Sequence, residues 1–260
     1  MSTYNTIISE LEKANAQSSS TVYIPSINSS VPFKKLNVKS QKDIIKSALS
    51  SDGTNVTFNL HANELIYNCT DVRGLLVTDR PSILISLRRD NITDIIERDN
   101  IKIDLNTVID SASKVKPPKH TDSINVDNIT VFVKIPDLET DTKFLTACQK
   151  NITGLIEQDQ VGDSVSMMYV YELAKIVDRV QFKSQPALSG SDEQDMQIHT
   201  VRFADMQVAD CVSMVELLPA SINAKMVEFI SKIREYEEQV STDPVTSTPV
   251  PVDVTLFTLD

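Results

Sequence analysis

The sequence has few cysteines and few glycines, and each shortage excludes a class of site. Its three cysteines, Cys69, Cys148 and Cys211, stand far apart, so the paired spacing of a zinc knuckle is absent. An odd and sparse cysteine count is typical of a protein made in a reducing cytosol. Only five glycines occur in 260 residues. Glycine-rich loops that hold phosphate groups are difficult to build from so few.

Motifs of common enzymes are also missing. The sequence contains no GxSxG, HExxH, P-loop or GxGxxG motif, and His61, His120 and His199 fall in different predicted elements. The acidic runs at 137–141 and 191–195 could supply a glycosidase carboxylate pair or a calcium site. Such runs more often cap helices or lie in solvated loops. We therefore expect no enzymatic activity, no cofactor and no bound metal.

The charge balance argues against a nucleic-acid or membrane partner. The net charge is -11, whereas phosphate binding needs a concentrated Lys/Arg face. The small basic clusters at 34–35, 88–89 and 114–119 are interpreted as solvated surface. The sequence has no charged-then-apolar leader and no apolar run of about 18 residues, so it predicts neither secretion nor a membrane span. Hydrophobic residues make up 41% of the chain, which is enough for a packed core.

The first half of the sequence reads as helices and short hairpins. A helix is expected over 4–16, then two strands around a turn at 21–33. Next comes a helix capped by Asn37, and its buried face is Ile44, Ile45, Ala48 and Leu49. Further elements are a helix over 55–68, one capped by Thr78 or Asp79, and hairpins over 93–104 and 125–136.

From Glu139 onward the pattern is mostly helical. One apolar stripe runs from Val165 to Val180, a short strand follows at 198–203, and Ser221 caps the last helix. The end of the chain alternates like a strand that docks on a sheet edge, either its own or a partner's. The candidate partner contacts in that strand are Val250, Val252, Val254, Leu256, Phe257 and Leu259.

These elements predict an α+β fold. Small antiparallel hairpins or a sheet pack with helices in the N-terminal half, the C-terminal half is mostly helical, and a β-strand ends the chain. The expected domains are an arm over 1–20, an α+β lobe over 21–137, a helical lobe over 138–240, and an extended linker with a strand over 241–260.

The stretch "VYIPSINSSVPFKKLNVKSQKDIIKSAL", residues 22–49, resembles the start of the baseplate hub proteins of T-even-like contractile-tailed bacteriophages. Later segments follow in a similar order: "RPSILISLR", a central β region and "ITVFVKIPDL", then a long helical half. The short first helix and the closing "VPVDVTLFTL" resemble the marine-phage members. Some relatives carry cysteine pairs in the central hairpin that look like a zinc ribbon, whereas here the hairpin tip is "ERDN".

The resemblance implies a structural component of the virion tail baseplate that is made in the infected bacterial cytoplasm. Its implied partners are other baseplate hub and wedge proteins, with the tape-measure protein as a further candidate. Two alternatives stay open. One is an assembly factor or chaperone for the hub or tape-measure protein that does not remain in the virion. The other, a tail-associated peptidoglycan hydrolase, is disfavoured because no acid/base pair is evident.

Overall fold

The computed structural model describes residues 3–17, 19–34, 36, 42, 55–70, 72–158, 160–184 and 197–257. The predicted α+β class is confirmed. The predicted helix with its Asn37 cap and its apolar face around Ile45 lies outside the described residues, and so does Leu259.

The chain forms two compact units. The first consists of Met1–Pro117 together with Glu235–Asp260, and the second of Pro118–Arg234. This division differs from the predicted boundaries at 137/138 and 240/241. The two strands at 121–134 belong to the second unit because they pair with each other and the later one also pairs with a strand that begins at Val177. Residues 235–240 belong to the first unit, in which Tyr236 and Val240 pack with Ala112.

The first unit is built from helices and two separate hairpins. In chain order its elements are α1 (Thr3–Gln17), β1 (Ser19–Ile24), β2 (Ser29–Lys34), α2 (Asn55–Cys69), α3 (Arg80–Asn91), β3 (Ile95–Arg98), β4 (Ile101–Asp104) and α4 (Leu105–Ala112). The hairpins β1–β2 and β3–β4 are antiparallel. Their turns use residues that tolerate positive φ: Asn28 at 48°, and Asp99 and Asn100 at 51° and 64°.

Helix α3 is the centre of the first unit. Every residue from 80 to 88 is buried, including the polar side chains of Arg80, Ser82, Ser86 and Arg88. Pro81 lies in the first turn, where a missing N–H removes no helical hydrogen bond. A helix buried on all sides needs neighbours on all sides, so the packing of this unit depends on α3.

In its described residues the second unit contains one four-stranded antiparallel sheet and four helices, the last of which begins in this unit and ends beyond Arg234. Its elements are β5 (Thr121–Val126), β6 (Ile129–Lys134), α5 (Leu138–Glu157), α6 (Val161–Lys175), β7 (Val177–Ser184), β8 (Gln197–Arg202), α7 (Val208–Glu216) and α8 (Ala220–Val240). The strand order is β5-β6-β7-β8.

Two predictions for this half are wrong. The apolar stripe to Val180 does not continue as a helix, because α6 ends at Lys175 and residues 177–184 form β7 between β6 and β8. Long-range pairing with β6 decides this segment. Val177 and Val180 are three residues apart, which fits a helix, and a register shift at Phe132/Val133 places both valines on one face of the sheet. Ser221 does not cap the last helix, because α8 already begins at Ala220 and the Ile222 amide donates to the Pro219 carbonyl.

Candidate functional site

The C-terminal segment was the predicted contact site, and the predicted strand is wrong. After α8 the chain turns at Asp243, whose carboxylate accepts hydrogen bonds from Val245 N and Thr246 Oγ1. An isolated bridge joins Thr242 to Pro249. Residues Val254–Phe257 then form a 3₁₀ turn. Prolines at 249 and 251 lack the N–H that a strand ladder requires, which favours a turn over a strand.

This segment is buried in its own unit. Val250, Leu256 and Phe257 are in the interior, the last two with no exposed surface, whereas Val252 is only partly buried. The 3₁₀ turn lies against α3, and the Arg88 guanidinium donates a hydrogen bond to the Leu256 carbonyl. In this conformation the buried side chains cannot contact a partner. Both predicted alternatives, a strand on its own sheet edge or on a partner's, differ from the buried 3₁₀ turn that the structure shows.

A second buried polar group, Asp79, joins α3 to the first hairpin. Its carboxylate accepts hydrogen bonds from Ser26 N at 3.1 Å, Ser26 Oγ at 2.6 Å and Leu76 N at 2.8 Å. Burial raises the pKa of this carboxyl, although these three hydrogen bonds oppose the shift. The arrangement connects the turn after β1 to the start of α3, and it exposes no reactive atom to solvent.

The histidines do not assemble a catalytic site within the described part of the chain. His61 lies on α2 with its Nδ1 3.8 Å from a Glu64 carboxylate oxygen. His199 lies on β8 with its Nε2 3.0 Å from Ser184 Oγ, and both residues are on the surface. Neither histidine contacts both a nucleophile and a carboxylate among the described residues. His120 precedes β5 and is exposed.

All three cysteines are buried, and none forms a disulfide. Burial raises the pKa of Cys69 and of Cys148 to about 11, and it also raises that of Cys211. A thiol with a raised pKa is a poor nucleophile and a poor metal ligand at neutral pH. Among the described residues no group of three or more His, Cys, Asp or Glu side chains could hold a metal ion.

The acidic run at 137–141 has a structural use. Asp137 Oδ1 accepts the Thr140 amide at 2.6 Å at the start of α5. Asp141 is fully buried and pairs with Lys175 Nζ at 2.9 Å, and Glu172 also contacts that ammonium group at 2.6 Å. These carboxylates cap a helix or join α5 to α6, and they are not available to a substrate. The run at 191–195 lies outside the described residues.

A shallow cleft in the first unit is lined by few residues that could act in catalysis or bind a ligand. It lies between the end of α4 and the end of α8, and its walls include Ser111, Val115, Glu235 and Glu238. No histidine or cysteine lines it. Two carboxylates on an open surface do not by themselves define a binding site.

The interpretation of the three small basic clusters as solvated surface is wrong for Arg88. Arg88 is buried, Arg89 pairs with Asp90, and Lys119 pairs with Asp122. In the described part of the chain, a basic surface lies on the second unit's sheet and combines residues from three strands. Its cations are Lys134, Arg179, Lys183 and Arg202. No local pattern in the sequence reveals these cations as a group, because they are far apart along the chain and only the strand register places them side by side.

This basic face is the open side of the sheet. Directly opposed residues on antiparallel strands project to the same side, and the register aligns Ser123, Phe132, Arg179 and Arg202 in one row. None of the described side chains on this side is buried. The opposite side carries the core residues Ile124, Val131, Val133 and Val177. The open face can therefore reach solvent or a partner.

No helix among the described residues is long and apolar enough to cross a membrane. Comparison with known protein families, with curated proteins and with solved structures finds no match for this chain.

Proposed function

We propose that the protein is a structural component of a bacteriophage tail baseplate, in the hub region, and that it acts through protein–protein contacts in tail assembly. The observation that carries the proposal is the order of elements on which the family resemblance rests. A strand–turn–strand at 19–34 is followed by the helix that begins "RPSILISLR", then a central hairpin, then the strand "ITVFVK".

The use of the polar side chains supports a binding role over catalysis. Asp79, Arg88 and Asp141 are buried and hold elements together, and His61 and His199 each lack one of the two partners, acid and nucleophile, among the described residues. The described surface also carries apolar side chains that a partner can cover. Examples are Tyr4, Ile7 and Leu11 on α1, each more than half exposed.

The proposed location follows from the role. The chain is made in the infected bacterial cytoplasm and is built into the baseplate of the tail, beside other hub and wedge proteins. Buried hydrogen-bonded groups and the packing around α3 stabilise the fold. The exposed faces are then available for contacts with partner proteins.

Mass spectrometry of purified virions tests this proposal. We expect the chain to be present at a constant ratio to other tail proteins, and to remain with tails after the heads are removed. A phage with an early stop codon in this gene should accumulate heads without complete tails, and the wild-type gene supplied in trans should restore them.

Two results would contradict the proposal in different ways. If the stop mutant lacks tails but wild-type virions do not contain the chain, the protein is an assembly factor that leaves before maturation. If the mutant forms normal infectious virions, the protein has no essential part in the tail. A stop codon in a gene with no tail function is the matched control.

A further inference from the structure

Among the described residues, strand β8 is an open edge of the second unit's sheet. It is the last strand in the order β5-β6-β7-β8, and all six residues of Gln197–Arg202 are exposed. The outer edge of such a strand presents backbone N–H and C=O groups that another extended chain can pair with.

Like charges lie side by side next to this edge. Arg179 on β7 is directly opposite Arg202 on β8, and Lys183 extends from the same face. Like charges at directly opposed positions of a sheet are destabilising. An anion placed beside them would remove this cost.

The charges are only partly balanced within the chain. Asp178 pairs with Arg179 at 3.0 Å and with Lys134 at 3.4 Å. Arg202 and Lys183 have no acidic partner in the described part of the chain. The second unit as a whole holds more acidic than basic residues, so this basic edge is a local exception.

The two sides of β8 differ in chemistry. Arg202 and Thr200 point to the basic face, together with Ile198, which is 58% exposed. Val201 and His199 point to the other face, where Phe182 of β7 lies beside them and is 42% exposed. A chain that pairs with β8 would therefore meet positive charge on one side and apolar surface on the other.

We propose that β8 accepts an extended acidic segment of a partner protein as a fifth strand. Its carboxylates would face Arg202, with Arg179 and Lys183 adding positive potential, and its alternate apolar side chains would cover Val201 and Phe182. This inference rests on the proposed role in protein–protein contacts, but it does not require that the partner is a baseplate protein.

The geometry favours a polypeptide over a single-stranded nucleic acid. Nucleic-acid binding on an open sheet uses aromatic rings as stacking platforms. Phe132 is the only aromatic residue on the described open face, and the Arg179 guanidinium lies 3.9 Å from its ring centre. A base could not stack on that side of the ring without displacing the arginine.

Fluorescence anisotropy with the full-length protein tests the proposal. The probe is a labelled peptide in which glutamate and valine alternate over the length of β8. We expect this peptide to bind, and we expect peptides with lysine in place of glutamate, or with the glutamates and valines in separate blocks, to bind much more weakly. Hydrogen exchange should show new protection of the β8 amides in the complex.

Charge reversal locates the site. Arg202→Glu should weaken binding of the alternating peptide about fivefold, since exposed charge pairs contribute modestly and reversal replaces attraction with repulsion. Lys150→Glu, on the exposed surface of α5, changes the net charge equally and should leave binding unchanged. Circular dichroism spectra that match the wild type show that both variants fold.

Several outcomes would overturn the proposal. These are no binding of the alternating peptide, equal binding of the block peptide, or equal weakening by the two variants. Arg202-dependent binding of a single-stranded oligonucleotide without peptide binding would assign the face to nucleic acid instead. A dimer that Ile198→Lys abolishes, with no peptide binding, would assign the edge to a second copy. The virion experiment above can fail independently, because it does not use this peptide.

Discussion

At the scale of single residues, Asp79 is a carboxylate that is only 1% exposed and still accepts three hydrogen bonds. The groups that donate to this carboxylate are two backbone amides and a hydroxyl, all uncharged. Loss of hydration therefore outweighs the hydrogen bonds, and its pKa is raised above the ordinary 3.8. Both the position and the protonation of this side chain affect how firmly α3 is held to the first hairpin.

Removing the Asp79 side chain should destabilise the first unit. Asp79→Ala leaves Ser26 and Leu76 donors without their acceptor, which costs about 2–4 kcal/mol of unfolding free energy. Asp110→Ala, at an exposed position on α4, is the matched control and should stay within about 0.5 kcal/mol of wild type. Urea unfolding followed by circular dichroism measures both. Equal stability of the two variants would show that the Asp79 contacts are not formed.

The raised pKa gives a prediction with a defined sign. The folded state binds the Asp79 proton more tightly than the unfolded state, so this group contributes more stability as pH falls through its folded pKa. The unfolding free energy of wild type relative to Asp79→Asn should therefore increase from about pH 7 to about pH 4. Parallel urea titrations across that range test it. A difference that does not depend on pH, or that decreases, would mean that the carboxyl is not desolvated.

At the scale of elements, the C-terminal 3₁₀ turn is part of the core of the first unit. Leu256 and Phe257 are consecutive and both fully buried. In a strand they would point to opposite faces, whereas the tighter turn lets both side chains reach the interior. The Arg88 guanidinium satisfies the Leu256 carbonyl, which would otherwise be a buried acceptor without a donor.

Phe257→Ala should therefore cost about 3–5 kcal/mol of stability, because it removes a fully buried aromatic ring. Val245→Ala, in the same segment at a side chain that is 78% exposed, should change stability by less than about 0.5 kcal/mol. Thermal and urea unfolding report the difference. If Phe257→Ala is as stable as wild type but fails to enter tails, the segment acts between molecules and not within its own core.

At the scale of the whole molecule, the first unit is assembled from both ends of the chain, whereas the second is continuous in sequence. A continuous unit with its own sheet and core has the contacts it needs to fold alone. A unit formed from distant segments depends on the return of the chain after α8. The two units therefore differ in how they respond to truncation.

A fragment that spans Pro118–Arg234 should fold by itself. We expect a cooperative urea transition and a circular dichroism spectrum with both helix and strand, because β5–β8 and their helices are all included. A chain that ends after Arg234 should lose the first unit's cooperative transition, since Tyr236, Val240 and Phe257 are then missing. A fragment without a cooperative transition would show that the second unit cannot fold without the first.

Local features of this protein could be predicted from its sequence. The hairpins at 19–34, 95–104 and 121–134 were recognisable because their turns need residues that accept positive φ, which Asn28, Asp99 and Asp127 provide. Most helix positions were also recognisable from apolar spacing. Turn residues and apolar spacing are properties of a few neighbouring residues, so hairpins and helices can be predicted from them without the rest of the chain.

Tertiary structure alone decided the features that join distant residues. Segment 177–184 is a strand because it pairs with β6 on one side and with β8 on the other. The C-terminal 3₁₀ turn is part of the core because it packs against α3. The basic face exists because the strand register sets Arg179 opposite Arg202. No local pattern contains such information, since burial and pairing energies depend on which surfaces meet after the chain has folded.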